Sequence, residues 1–147
     1  VLLAADWLQY DGINQFNLLT PEAISTTIRS LKEVGVKNVV LIGNFPVFYI
    51  EQPRLAAALF KPKLTNHTLQ RLNMRSLEIN EALSNLAAQE NIAFISPPEI
   101  LCSLQGCLLS TSDETLLPIG LDSSHLSKAG SIYFIDQARN RGLLKLE

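Results

Sequence analysis

The sequence predicts an α/β domain built on a mainly parallel sheet that helices cover on both faces. Short apolar runs at residues 1–5, 38–43 and 92–96 have the length and composition of strands. They alternate with longer segments whose apolar residues recur at helical spacing, which is typical of a parallel sheet. With 147 residues and 47% hydrophobic content, the chain can bury one ordinary core. We therefore expect residues 1–147 to form a single three-layer domain.

The strand boundaries follow from turn-forming residues. Residues 1–5 are wholly apolar, which is typical of a strand buried on both faces. The second run ends at Asn44-Phe45-Pro46, because proline cannot continue a central ladder. The third run ends at Pro97-Pro98, and residues 99–102 are expected to form a short helical turn. Residues 107–109 and 116–119 flank a polar stretch and are expected to pair as a hairpin or an irregular ribbon.

Four helices are predicted, the first and the last of them from capping signals. Thr20-Pro21-Glu22 combines a hydroxyl N-cap, a proline at the first helical position and an acid in the first turn, and Gly35 ends that helix. A short helix is predicted over residues 54–59 and a long one over residues 66–89, where an apolar stripe keeps helical spacing. Ser127 is predicted to cap a final helix.

Composition excludes some classes of function. The net charge is −2 and the sequence pI is about 5.7, with no basic cluster that would neutralise the phosphates of a nucleic acid. The sequence has neither an apolar run of membrane-spanning length nor a signal-peptide pattern. It opens on an apolar run without an initiator methionine, so we expect it to be part of a longer chain.

Cys102 and Cys107 are separated by four residues in a turn-like segment. That spacing allows a disulfide, and the alternative is a pair of reduced, half-buried thiols. A zinc site is disfavoured because only two histidines and no second cysteine pair are present. We favour the disulfide, and with it an oxidising compartment.

The candidate catalytic residues are Asp122 and His125, which a single short turn can present to one point. The carboxylate would accept a hydrogen bond from one ring nitrogen and fix the tautomer, leaving the other nitrogen to take a proton from a nucleophile. The alternative is a surface turn in which Asp122 caps the following helix and His125 is solvated. Ser123 and Ser124 adjoin His125 in sequence and would align poorly on its free nitrogen.

The order of these blocks resembles a known family. Gly-Asn-Phe-Pro-Val-Phe follows the second strand, and Ser-Pro-Pro-Glu-Ile-Leu-Cys follows the third. A second cysteine and Asp-Ser-Ser-His-Leu-Ser-Lys-Ala-Gly then precede the closing helix. This order resembles the C-terminal part of SGNH hydrolase domains, above all those fused to membrane acyltransferase-3 proteins that O-acetylate bacterial surface glycans. The resemblance implies a flavodoxin-like sheet, and it implies that Asp122 and His125 are the acid and base of a Ser-His-Asp triad.

The resemblance also implies what should lie outside the sequence. The family carries its nucleophile in a Gly-Asp-Ser block after its first strand, and no such block occurs in this sequence. Residues 1–5 match the family's third strand best, so we expect two further strands upstream and a truncated N-terminal part. The edge of that strand would then be unpaired and open to self-association. The implied partners are an acyl donor, a glycan acceptor and an N-terminal transmembrane acyltransferase domain, at the periplasmic or extracytoplasmic face of a bacterial inner membrane.

Three residues after the strands are candidate substrate-binding residues. The family places an oxyanion asparagine after its third strand, where this sequence has Asp6-Trp7. Trp7 is expected either to wall a sugar site or to join the core, and Asn44 either to reach the pocket or to shape a turn. No metal and no cofactor are implied. Two other functions remain open: a non-catalytic partner domain with the same fold, and a secreted carbohydrate esterase.

Overall fold

The computed structural model has a mixed α/β fold and describes residues 1–10, 20–61, 66–112 and 114–144. The chain forms two compact units. Unit 1 contains Val1–Asn44 and Arg75–Ser96, and unit 2 contains Phe45–Met74 and Pro97–Glu147. The chain therefore leaves unit 1, returns to it and leaves it again. That residues 1–147 act as one domain stays a prediction.

The regular elements alternate along the chain. The helices are α1 Pro21–Glu33, α2 Gln52–Leu59, α3 Arg75–Gln89, α4 Pro97–Leu101 and α5 Lys128–Asn140, with a 3-10 helix at Trp7–Tyr10. The strands are β1 Leu2–Leu3, β2 Val40–Ile42, β3 His67–Thr68, β4 Ala93–Ile95, β5 Cys102–Ser103 and β6 Gly106–Leu108. In the part of the chain with described structure, no helix is both long and apolar enough to cross a membrane.

The sheet of unit 1 is parallel, as the alternating pattern predicts. Its order is β1-β2-β4, and β2 pairs with both neighbours. Helices α1 and α3 pack with this sheet around a core that includes Ile28, Leu41, Leu83 and Ala87. Each of these four side chains is at most 5% exposed, so the periodic apolar positions of both helices are used as predicted.

The prediction that residues 1–5 are buried on both faces is wrong. Only Leu2–Leu3 joins the ladder, and Val1 and Leu2 are 54% and 47% exposed. The reason is position, since β1 lies at an edge of the described sheet and pairs only with β2. An apolar run fits an edge strand as well as a central one, so composition does not separate the two. Self-association through this edge stays a prediction.

The predicted helix over residues 66–89 begins too early. Helix α3 starts at Arg75, and β3 occupies His67–Thr68. The Thr68 hydroxyl accepts a hydrogen bond from the backbone N–H of Gln70 at 3.0 Å, which favours a turn over a helix. Arg71 has a φ of 60°, in the left-handed region, so a right-handed helix cannot pass through it. Leu69 and Leu72, which precede α3, therefore match the helical spacing only by coincidence.

A small antiparallel sheet organises unit 2. Its order is β3-β6-β5, and Cys102 lies opposite Cys107 in the β5–β6 pair. The structure bonds these two cysteines, as expected, with an S–S distance of 2.09 Å. Gly106 has a φ of 117°, and a Cβ added there would lie 2.1 Å from the backbone carbon of Thr68. Glycine is therefore required where β6 approaches β3.

The expected ribbon after β6 is present as an irregular pairing. Ser110 and Pro118 form an antiparallel bridge, and the N–H of Ile119 donates to the carbonyl oxygen of Leu109 at 2.9 Å. The regular ladder of β6, in contrast, is made with β3 and β5. The ribbon leads the chain from the small sheet to the segment that carries Asp122 and His125.

We expect the disulfide to be present in the folded protein and to stabilise it modestly. Thiol titration under non-reducing denaturation should find no free thiol. The C102S/C107S double variant should lose about 2 kcal/mol of unfolding free energy, because closing so short a loop gives a small loop-entropy gain. Urea unfolding of both proteins measures this loss. Two titratable thiols in the untreated protein would contradict the prediction.

Candidate active site

Asp122 and His125 form a closely paired acid and base. The Nδ1 atom of His125 lies 2.7 Å from the Oδ2 atom of Asp122. The other carboxylate oxygen, Oδ1, accepts hydrogen bonds from the backbone N–H groups of Ser124 and His125, both at 2.8 Å. An aspartate that accepts from the second and third following N–H groups closes a tight turn on itself. The sequence Asp-Ser-Ser-His therefore builds the pairing locally.

These hydrogen bonds hold Asp122 in its ionised form. The backbone N–H of His125 and then that of Ser124 lower the pKa of the carboxyl from 3.8 to about 2, and desolvation opposes them only partly. A carboxylate has no proton to give, so Nδ1 of His125 carries the proton between the two groups. In the neutral ring, Nε2 is then the basic nitrogen. The imidazole is 73% exposed, and Nε2 has no hydrogen-bond partner among the described residues.

Two backbone hydrogen bonds fasten the turn to the segment around the start of α2. The N–H of Phe48 donates to the carbonyl oxygen of Ser123 at 2.9 Å, and the N–H of Gln52 donates to that of Asp122 at 3.1 Å. Across the base of the turn, the N–H of Leu121 donates to the carbonyl oxygen of His125 at 2.8 Å. The ends and the middle of the turn are thus fixed by backbone hydrogen bonds, in addition to those that the Asp122 side chain accepts within the turn.

The turn also runs into a firmly capped helix. The Ser127 hydroxyl accepts from the N–H of Gly130 at 2.9 Å and donates to the carbonyl oxygen of Pro118 at 2.6 Å. A Cβ at Gly130 would lie 2.0 Å from the carbonyl oxygen of Ile119, so only glycine permits this close approach. The predicted cap is confirmed, and it joins α5 to the ribbon that precedes the turn.

Gln52 supports the turn and was not predicted from the sequence. Its side chain is 3% exposed and lies against Gly120, where an added Cβ would be 2.4 Å from its amide carbon. Its Oε1 is buried and has no hydrogen-bond partner among the described residues. A glutamine at a helix start usually indicates exposed surface, and only the glycine at residue 120, just before the Asp-His block, hints that a side chain packs there.

The candidate substrate-binding residues Trp7 and Asn44 lie in unit 1 and are buried there. The indole N–H of Trp7 donates to the carbonyl oxygen of Ile42 at 2.8 Å, and Trp7 is 6% exposed within the core. The side-chain oxygen of Asn44 accepts from the N–H of Leu8 at 3.3 Å. Asp6 precedes them in the chain and is half-buried. The structure thus gathers Trp7 and Asn44 around the end of β2, and their binding of substrate stays a prediction.

Asn80 supports the segment that follows β2, and it was likewise not predicted from the sequence. Its Nδ2 donates to the carbonyl oxygens of Asn44 and Ser76, at 3.1 and 2.9 Å. Its side chain fills the space above Gly43, where a Cβ would lie 2.0 Å from the Asn80 Oδ1. A polar residue on the apolar face of a predicted helix was the available signal. No group of three or more potential metal ligands occurs among the residues whose structure is described.

Lowering the pH should weaken the turn. Because the pKa of Asp122 is lower in the folded chain than its ordinary value of 3.8, the ionised carboxylate stabilises the fold above that pH. This stabilisation is lost as the pH falls toward 2. NMR titration of the Asp122 side-chain carbon should give a midpoint well below 3.8, and the stability advantage over Asp122→Asn should shrink across the same range. An ordinary midpoint would refute the proposed hydrogen bonding.

Removing the Ser127 hydroxyl should destabilise the fold. Ser127→Ala is expected to cost about 1 kcal/mol of unfolding free energy, because the Gly130 N–H loses its cap acceptor. Ser131→Ala is the matched control, since Ser131 is exposed in the same helix and alanine has the better helix propensity. Chemical denaturation of both variants provides the comparison. Equal stability of the two variants would show that the cap contributes nothing.

Comparison with solved structures supports the fold. A Salmonella ser. Paratyphi A lipopolysaccharide acetyltransferase periplasmic domain superposes with a TM-score of 0.71 at 23% identity, covering 84% of this chain and 49% of that chain. A candidate platelet activating factor from Streptococcus pneumonia superposes with a TM-score of 0.52 at 20% identity, covering 84% and 50%. The chain thus spans about half the length of both neighbours. A search of curated proteins finds no match.

The sequence itself matches a family model. The match extends over residues 1–139 and so includes both cysteines and the Asp122–His125 turn. The family is described as the SGNH domain that is fused to AT3 domains. The resemblance inferred from the order of the sequence blocks is therefore confirmed. This chain belongs to the family of SGNH domains fused to AT3 domains.

Proposed function

We propose that this chain supplies the acid and base for acyl transfer, above all acetyl transfer, to a sugar of a cell-surface polysaccharide or lipopolysaccharide. The observation that carries the proposal is the 2.7 Å contact between Nδ1 of His125 and Oδ2 of Asp122, in a turn whose imidazole is solvent-exposed. Membership of a family fused to acyltransferase domains supports the choice of acyl transfer. The lipopolysaccharide acetyltransferase among the structural neighbours supports the choice of acceptor.

His125 is the general base of the proposed reaction. Its Nε2 takes the proton of a serine hydroxyl as the serine oxygen attacks the acyl carbonyl carbon. The tetrahedral intermediate then collapses, the bond to the leaving group breaks, and the leaving group receives the proton from His125. The product is an acyl-serine ester. Backbone N–H groups are expected to bear much of the oxyanion charge.

The second half of the reaction reverses the proton transfers. A sugar hydroxyl gives its proton to Nε2 of His125 while its oxygen attacks the acyl-serine carbonyl. The ester bond to serine then breaks, and serine recovers the proton. Throughout, Asp122 keeps its charge, since its pKa is about 2, and it stabilises the imidazolium that forms in each half. Asp122 therefore orients the base and does not itself exchange protons.

The nucleophile is proposed to come from outside these 147 residues. They contain no Gly-Asp-Ser block, and Ser123 and Ser124 belong to the turn itself. We propose that a longer parent chain supplies the serine together with an N-terminal transmembrane acyltransferase domain. The Cys102–Cys107 disulfide fits an oxidising location, at the periplasmic or extracytoplasmic face of a bacterial inner membrane.

The competing function is a non-catalytic partner domain that keeps the fold. A parent chain without the serine block would favour it, whereas the paired Asp122 and His125 favour catalysis. The lowered pKa of Asp122 comes first from the backbone N–H groups that close the turn, so the contact of its other oxygen with the exposed imidazole is what favours catalysis. The two functions differ in what the loss of His125 should do to the parent protein.

The test is acetyl transfer by the full-length parent protein. His125→Ala should lower the rate of polysaccharide O-acetylation by about 10³-fold or more, as removal of a triad base does. Lys128→Ala is the control, because Lys128 is exposed three residues further on and should leave the rate unchanged. Mass spectrometry of the polysaccharide measures the acetyl content. Normal acetylation by the His125→Ala protein would establish the non-catalytic role instead. The 147-residue chain alone is expected not to hydrolyse acetyl esters, because it has no Gly-Asp-Ser block.

A further inference from the structure

Unit 2 contains a cavity that the proposed chemistry does not use. Its volume is about 490 Å³, which is within the range of small-molecule sites. The second half of α2 forms one wall, and β3 and the segments next to β6 form the others. All the lining residues belong to unit 2, and neither Asp122 nor His125 is among them. The cavity is therefore a separate feature of the same unit as the acid–base pair.

The lining mixes apolar surface with side-chain amides. Leu59, Phe60 and Leu109 supply apolar surface, and Gln70 and Gln105 supply amides that have no side-chain hydrogen bond within the described residues. None of the described residues that line the cavity is acidic. Amides both donate hydrogen bonds to hydroxyl groups and accept them, and apolar surface packs against the C–H faces of a sugar ring. This combination favours a hydroxyl-rich ring over a metal ion.

Asn66 is the independent observation that points to a ligand. It lines the cavity, and it is 8% exposed. Its Oδ1 accepts from the backbone N–H of Lys61 at 3.4 Å, while its buried Nδ2 has no hydrogen-bond partner among the described residues. A buried donor without an acceptor costs about 1–3 kcal/mol, so a ligand hydroxyl that accepts from this Nδ2 would recover that cost.

The wall of the cavity is preorganised. The disulfide fixes the turn that carries Gln105, and Gly106 brings that turn against the backbone of Thr68. The N–H of Leu109 also donates to the carbonyl oxygen of Asn66 at 2.9 Å. Binding to a wall that is already ordered loses little conformational entropy, which favours affinity for a weakly contacting ligand such as a sugar.

Helix α2 sets the distance from the cavity to the acid–base pair. Gln52, at its first residue, donates its N–H to the carbonyl oxygen of Asp122, and Leu59, at its last residue, lines the cavity. An α-helix of this length spans roughly 12 Å. A chain-like ligand can therefore occupy both places at once, whereas a single sugar ring cannot.

We propose that this cavity is an acceptor subsite that binds one sugar unit of the glycan while another unit of the same chain is acylated. This inference rests on the proposed function, because it takes the acceptor to be a polysaccharide. The subsite holds the glycan chain, and a unit further along that chain presents its hydroxyl at His125. Its side chains contribute to binding and not to proton transfer.

The test compares glycan binding and catalysis in the full-length protein. The probe is delipidated, de-O-acetylated O-polysaccharide prepared from lipopolysaccharide, titrated by calorimetry. The Q70A/Q105A double variant should bind it about tenfold more weakly, since two hydrogen-bonding amides are removed. Asn66→Asp, which keeps the acceptor for Lys61 but removes the buried donor, should also weaken binding. Leu104→Ala is the matched control, because Leu104 is fully exposed in the same turn as Gln105 and does not line the cavity.

Each outcome separates the subsite from the catalytic proposal. Weaker binding in Q70A/Q105A, with hydrolysis of the acetyl donor by water unchanged, supports the subsite. Equal binding by Q70A/Q105A and the parent protein overturns it, as does the absence of any binding. Neither of these two results bears on His125, whose role is judged by His125→Ala in the hydrolysis of the acetyl donor. Both Gln70 and Gln105 are exposed, so the double variant should fold, and circular dichroism checks this.

Discussion

The carboxylate of Asp122 is the group on which the candidate site depends. It accepts from two backbone N–H groups through one oxygen and faces the imidazole of His125 through the other. The same three contacts close the turn, keep the carboxyl ionised and determine which nitrogen of His125 is basic. The structure of the turn and the reactivity proposed for it thus depend on the same residue.

Around that turn, the fold supplies support from several directions. Gln52 holds it from the start of α2, and Ser127 anchors its exit to the last helix. Gly130 permits an approach to the backbone of Ile119 that any side chain would prevent, and Gly120 leaves room for the amide of Gln52. The result is a rigid frame with an exposed imidazole at its centre, which is what a base needs if it must meet a nucleophile from another segment.

The sequence was most informative where the signal is local. The caps at Thr20 and Ser127, the pairing of Asp122 with His125 and the bonded cysteines all depend on residues within a few positions of one another. Prediction from the sequence failed where tertiary contacts determine the backbone conformation. An example is Arg71, whose left-handed φ interrupts a helix that the apolar spacing predicts. Gln52 could not be found either, because its burial depends on a glycine far along the chain.

The interrupted course of the chain has a consequence for how the site forms. Residues 75–96 belong to unit 1, and in the sequence they lie between the two segments that form unit 2. The hydrogen bond from the N–H of Gln52 to Asp122 therefore closes a loop that contains the whole of α3 and β4. Closing such a loop costs chain entropy before the contact stabilises the fold, and contacts of high sequence separation slow folding. The acid–base pair is encoded within a single short turn, yet its anchoring to α2 depends on a contact that closes much of the chain into a loop.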